Sequence, residues 1–172
     1  IYSDPGNFET IKNEYGRYVL AIHNNKAFLI GAGHTKEGQF PFIDNFDLKT
    51  FKTTRLYQSN YKDKVEAIYS IEDFKKGDVL VQIQSKTEYP NYYFRNIKKK
   101  NSLTAITAFK NPFERIKNIH KEVIKYQRKD GVGLSGTLYL PANYDMKKKE
   151  KLPLLIWAYP EEFKDKNSAG QS

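Results

Sequence analysis

The stretch Phe46-Asp47-Leu48-Lys49 has a counterpart 49 positions later, Arg95-Asn96-Ile97-Lys98. The same shift of 49 places Val19 on Ile68, where each copy has a short apolar run. Repetition at a period of about 40–50 residues, with four short strands in each unit, is typical of β-propeller blades. The sequence therefore predicts a mainly β chain that contains two four-stranded antiparallel blades.

The predicted blades span residues 17–58 and 65–109, within a first domain of residues 1–110. Period-two alternation and turn residues place the strands of the first blade at 17–23, 27–32, 40–48 and 52–58, and those of the second at 65–71, 78–85, 91–97 and 102–109. The alternative is a chance match within a single antiparallel sandwich. Two blades do not close a ring of four to eight, so we expect the chain to be a piece of a longer protein.

The pattern changes after residue 110. Residues 111–121 read as a linker with one or two helical turns, and Glu122 to Gln127 read as a strand. Asp130-Gly131 is a strong hairpin signal that leads into a second strand. The run from Leu152 to Pro160 is apolar on both faces, as in a strand inside a covered sheet. Residues 122–172 are thus predicted to begin an α/β domain with its first hairpin and its first buried strand.

This second region resembles the junction into the catalytic domain of the prolyl oligopeptidase family of serine peptidases, nearest to its glutamyl-endopeptidase-like branch. The residues that carry the resemblance are Asp130-Gly131, Leu134, Gly136, Leu138, Pro141, Tyr144, Asp145, Pro153-Leu154-Leu155 and Tyr159-Pro160. In that family a β-propeller precedes an α/β-hydrolase domain. The resemblance implies peptide hydrolysis through an acyl-enzyme, with no cofactor or metal. It also implies that the Ser-Asp-His triad lies downstream of this chain, which should be inactive alone.

One catalytic element is implied within the chain. By resemblance, Tyr159 after the first buried strand is the candidate donor to the oxyanion that develops during acyl transfer. An alignment on Pro160 gives this place to Trp157 instead. The third interpretation makes both residues core aromatics with satisfied polar tips.

Other motifs have simpler interpretations. Ser135 alternates along a predicted strand and lacks the G-x-S-x-G elbow of a hydrolase nucleophile. His23, His34 and His120 are scattered and are predicted to be surface residues. The remaining polar and glycine motifs are interpreted as turn glycines or solvated positions: Gly31-Ala32-Gly33, Gly38, Asp44, Asp47 and Glu161-Glu162.

The composition limits the classes of function. The absence of cysteine excludes disulfides and a Cys nucleophile, and no apolar run approaches the roughly 20 residues of a membrane span. The net charge is +9, with 24 Lys and 5 Arg. Because nucleic-acid readers favour Arg, we expect no nucleic-acid partner. Lys98 to Lys100 beside aromatic residues could imitate a single-strand binder, but protection of edge strands is the simpler interpretation.

We therefore expect a peptide substrate for the full-length enzyme, and self-association through open sheet edges is an option for this piece. The alternative function is a non-enzymatic propeller module that binds a protein or glycan. The sequence leaves the compartment open, with an exported or periplasmic location compatible.

Overall fold

The computed structural model of the chain describes residues 5–116, 118–148 and 150–158. This part is mainly β, as predicted, with antiparallel sheets and a short 3-10 helix at Glu114–Ile116. The strands in chain order are β1 Asn7–Phe8, β2 Thr10–Lys12, β3 Tyr18–Leu20, β4 Ile22–His23, β5 Lys26–Gly31, β6 Phe42–Asp47, β7 Thr53–Gln58, β8 Lys64–Asp73, β9 Asp78–Ser85, β10 Asn91–Asn96, β11 Ser102–Ala105, β12 His120–Gln127 and β13 Gly133–Leu140. The chain divides into two compact units, Ile1–Asn111 and Pro112–Ser172.

The second copy of the repeat folds as a four-stranded meander in the order β11-β10-β9-β8. Its strands agree with the predicted ones within two residues, except that β11 ends at Ala105, four residues before the predicted end. The register shifts twice along β8, between Ile68 and Ser70 and between Ile71 and Asp73. The described residues close no ring of sheets, so a propeller remains a prediction.

The first copy follows the same plan with a divided first strand. β5, β6 and β7 lie side by side, and both β1 and β4 pair with the outer side of β5. The predicted strand 17–23 is broken at Ala21, which is fully buried and whose N–H donates to the carbonyl of Glu9. Val19 pairs with Ile11 in the separate β2–β3 hairpin, whereas Ile68 pairs with Val81 inside the second sheet. The prediction that Val19 and Ile68 occupy equivalent strand positions is therefore wrong.

The repeat of 49 residues is clearest in the last hairpin of each copy. β6 and β10 begin and end 49 residues apart, and so do the first residues of β7 and β11. Asp47 Oδ1 accepts hydrogen bonds from the N–H groups of Lys49 and Thr50, and Asn96 Oδ1 accepts them from Lys98 and Lys99. The repeat predicted from the sequence therefore extends to equivalent hydrogen bonds in the two turns.

The two sheets of the first unit share one hydrophobic core. Its buried members come from both sheets: Phe28, Ile43 and Tyr57 from the first, and Ile71, Val79, Val81 and Ile83 from the second. Full burial of each aliphatic or aromatic side chain contributes about 1.5–3 kcal/mol, so this cluster dominates the stability of the unit. A four-stranded sheet alone would leave these side chains in water.

The second unit contains the predicted hairpin. β12 pairs with β13 from His120↔Leu140 to Gln127↔Gly133, and Gly131 adopts a φ of +86° in the connecting turn. The predicted buried strand is not formed over residues 150–158, which have no regular secondary structure. Leu155 is 92% exposed, because no described strand pairs with this segment or covers its two apolar faces.

Candidate functional site

The predicted oxyanion donor Tyr159 lies outside the described residues. Trp157, the alternative donor, is described, and its side chain is 88% exposed. No described residue buries the indole ring of Trp157, and its interpretation as a core aromatic of a covered sheet stays a prediction. Its interpretation as a donor, like that of Tyr159, stays a prediction.

Ser135 lies in the middle of β13, opposite Lys125 of β12, and it is exposed. A hydrolase nucleophile instead needs a sharp strand-to-helix turn that points its hydroxyl into a site. The expectation that Ser135 is a strand residue is confirmed.

The three histidines lie apart from one another. The ring of His23 stacks on Phe74, and His34 lies at an isolated bridge with Gln39. His120 Nε2 lies 3.0 Å from Glu122 Oε2. Sequence reasoning missed this pair, although residues two apart on a strand share a face. No described serine is hydrogen-bonded to any of these rings, so the described residues contain no Ser-His pair.

Gly33 is confirmed as a turn glycine, with a φ of +65°. A Cβ on Gly33 would lie 1.9 Å from the carbonyl oxygen of Phe40. Gly31 is instead a strand residue of β5, where a Cβ would meet the ring of Phe42. The expectation of a turn glycine is therefore confirmed for Gly33 and wrong for Gly31.

Among the described residues, the most buried charged side chains are those of Glu66 and Arg95, which form an ion pair. Arg95 Nε donates to Glu66 Oε1 at 2.7 Å, and both side chains are almost fully buried. The other guanidinium nitrogens donate to the carbonyl of Asn101 and to the hydroxyl of Tyr61. Tyr57 Oη donates to Glu66 Oε2 at 2.6 Å. This network of four hydrogen bonds joins the two sheets, since Tyr57 lies in β7 and Glu66 in β8.

The same contacts shift proton affinities. Burial first, and then the Glu66 carboxylate, raise the pKa of the Tyr57 hydroxyl well above its ordinary value. Burial acts to lower the pKa of Arg95, but Glu66 and Tyr61 outweigh it, so that pKa is raised. Because both guanidinium and carboxylate already have partners, the network suits structural support better than proton transfer or substrate binding.

A second ion pair corrects the interpretation of Asp44. Asp44 is buried in β6 and accepts from Arg55 of β7, whereas a solvated position was expected. The Arg55 guanidinium carbon lies 3.9 Å from the centroid of the Phe42 ring, a cation–π contact. Sequence reasoning missed this pair because only the bulged register of β6 and β7 brings Asp44 opposite Arg55.

The described residues contain no group of three or more His, Cys, Asp or Glu side chains that could hold a metal ion. In the same part of the chain, no helix has the length and apolar character needed to cross a membrane.

Two curated proteins, each named "Probable glutamyl endopeptidase, chloroplastic", match nearly the whole chain. The protein from Oryza sativa subsp. japonica is 39% identical over 184 residues, and the protein from Arabidopsis thaliana is 37% identical over 185 residues. Each alignment covers 99% of this chain. The chain is a relative of peptidases. It spans only about a fifth of the length of these two relatives, 20% and 19%.

No protein-family model matches the chain. Among solved structures, the chain is similar to the AtxE2 isopeptidase, with a TM-score of 0.46 and 14% sequence identity. That match covers 79% of this chain and 19% of the isopeptidase chain.

Proposed function

We propose that this chain is a segment of a serine peptidase of the prolyl oligopeptidase family, from its glutamyl-endopeptidase-like branch. The proposal rests chiefly on the identity of 37–39% to two proteins named glutamyl endopeptidases, which extends over 99% of the chain. An alignment of that extent includes both repeat copies and the Asp130-Gly131 hairpin together. In this proposal the two sheets are propeller blades and the β12–β13 hairpin opens the hydrolase domain.

In the full-length enzyme, hydrolysis would proceed through an acyl-enzyme. A serine hydroxyl downstream of this chain would attack the peptide carbonyl while a histidine takes its proton. Tyr159 would donate its hydroxyl hydrogen to the oxyanion that forms on that carbonyl. The substrate would be a peptide, cut after an acidic residue.

The first test uses the full-length gene product and this 172-residue chain side by side. A fluorophosphonate probe should label the full-length protein and leave the present chain unlabelled, because none of the described serines is paired with a histidine. Labelling of the present chain, or no labelled serine in the full-length protein, would refute the proposal.

The second test addresses Tyr159 in the full-length enzyme. Tyr159→Phe should lower kcat about 10²–10³-fold, the usual cost of one oxyanion donor. Tyr126→Phe is the matched control, because Tyr126 is an exposed residue of β12, and it should leave kcat unchanged. Equal activity of both variants would remove Tyr159 from the mechanism.

Substrate preference needs a separate comparison. Matched peptides with Glu or Gln before the scissile bond should differ in kcat/KM, with Glu preferred. Equal values would leave the peptidase proposal standing and remove the acidic preference.

A further inference from the structure

Four of the turns of the first unit lie at one end of the two sheets. In an antiparallel meander, successive connections alternate between the two ends. Residues 24–26, 47–53, 73–78 and 96–102 therefore lie at one end of their sheets, which we call the turn end. The two sheets meet there, since Phe74 stacks on His23 and lies 4.6 Å from Phe28, ring centroid to centroid.

The turn end holds most of the excess positive charge of the chain. It carries eight lysines and three aspartates, a net charge of +5 out of the +9 of the whole chain. The connections at the opposite end, residues 32–41, 59–63, 86–90 and 106–111, carry four lysines and three acidic residues, a net charge of +1. The lysines of the turn end are Lys26, Lys49, Lys52, Lys75, Lys76, Lys98, Lys99 and Lys100.

The aspartates of the turn end are engaged in the turns themselves. Asp47 and Asp73 each accept two backbone N–H groups, and Asp78 accepts from the amide of Asn96. The Lys98 ammonium donates to the carbonyls of Phe74 and Lys75, which holds a charge at the turn without neutralising it. Lys76 is paired with Asp73 at 3.5 Å.

Protection of sheet edges, expected for Lys98 to Lys100, does not explain this concentration. These lysines lie in a turn, whereas the edge strand β11, Ser102–Ala105, carries no charge. Like charges gathered at one end repel each other and lower stability. A surface of this kind is more easily explained by a partner of opposite charge.

We propose that the turn end binds an acidic segment of a polypeptide. Ammonium groups on flexible stems suit carboxylates that are spread along an extended chain. A nucleic-acid surface would favour arginine forks and stacked aromatic rings, whereas the turn end has no Arg. Of its two aromatic residues, Phe74 is packed against Phe28 and only Phe51 is largely exposed. This proposal does not depend on the proposed peptidase activity.

The test measures fluorescence anisotropy of a labelled (Glu-Gly)6 peptide with the 172-residue chain at low salt. The peptide should bind, while (Gln-Gly)6 should not, and added salt should weaken binding because it screens exposed charges. The triple variant Lys75→Glu, Lys99→Glu, Lys100→Glu should lose at least tenfold in affinity. Lys49→Glu with Lys52→Glu tests the same end through the other sheet and should also lose affinity.

The matched control reverses three exposed lysines at the opposite end, Lys36→Glu, Lys62→Glu and Lys110→Glu. It changes the net charge of the chain equally and should keep affinity within about twofold. Equal losses of affinity in the two triple variants would show that binding depends only on the net charge of the chain, and would overturn the proposal. Tighter binding of a twelve-nucleotide thymidine strand than of the acidic peptide would also overturn it, in favour of a nucleic-acid surface.

Discussion

Asp47 and Asn96 occupy equivalent positions in the two repeat copies, and their side-chain oxygens accept the same pair of turn hydrogen bonds. The distances are 2.9 and 3.0 Å for Asp47, and 3.1 and 2.8 Å for Asn96. The backbone N–H groups of Thr50 and Lys49 lower the pKa of Asp47, because they favour its charged form. The amide of Asn96 makes the same turn without titrating.

Asp47→Asn should therefore keep the turn and remove one source of acid sensitivity. A lowered carboxyl pKa gives stability that is fully present above the ordinary value of 3.8 and is lost as pH falls through the folded value. Urea denaturation at pH 6 and at pH 3 should show a smaller difference in unfolding free energy for the variant than for the parent chain. Asp63→Asn, in an exposed loop, is the control; an unchanged difference in Asp47→Asn would contradict the prediction.

Gly33 and Gly16 allow two effects of an added side chain on stability to be compared: backbone strain at positive φ, and steric overlap with a neighbouring atom. Both have positive φ, +65° and +72°, but a Cβ on Gly16 would meet no atom within 4 Å, whereas one on Gly33 would strike the Phe40 carbonyl. Gly16→Ala should cost about 1–2 kcal/mol, the usual penalty of the left-handed conformation. Gly33→Ala should cost clearly more, because the backbone of Phe40 must also move. Equal losses in chemical denaturation would refute this assignment.

At the scale of the strands, the buried Glu66–Arg95 pair shows where sequence reasoning stops. Turn residues and alternation predicted β9 and β10 closely because both signals are local. The pair joins β8 to β10 across β9, from residues 29 positions apart, and depends on register. The repeat even misleads here, since the shift of 49 places Arg95 on the apolar Phe46.

Removal of one charge from this pair should lower the unfolding free energy much more than removal of both charges. Glu66→Gln leaves the Arg95 guanidinium buried without a counter-charge and should lower the unfolding free energy by about 3–5 kcal/mol. The double variant Glu66→Leu, Arg95→Met takes away both charges at similar volume and should recover most of that loss. Denaturant unfolding of the parent chain, Glu66→Gln and the double variant measures these free energies. A double variant no more stable than Glu66→Gln would contradict the prediction.

The strands of the first unit cover a buried core, whereas the β12–β13 hairpin and the residues after it have no buried residue among those described. The Asp130-Gly131 signal predicted the hairpin correctly, since a turn is encoded locally. The expected strand from Leu152 needs neighbours on both faces, and no described residue of Pro112–Ser172 is buried. An apolar sequence pattern predicts which residues favour burial, but other strands and helices must cover these residues before they are buried.

For the whole molecule, this difference predicts two levels of stability within one chain. The amides of β9 lie over the shared core and should exchange only when the first unit unfolds as a whole. The amides of β12 and β13 are hydrogen-bonded, but a two-stranded hairpin is marginal in water and should open on its own. Hydrogen exchange followed by mass spectrometry should therefore show about 10³–10⁴-fold more protection in β9, for a global stability of about 5 kcal/mol. Protection of β12 equal to that of β9 in this chain would contradict the prediction. In a full-length peptidase, where β12 and β13 would be covered by the hydrolase domain, their protection should rise toward that of β9.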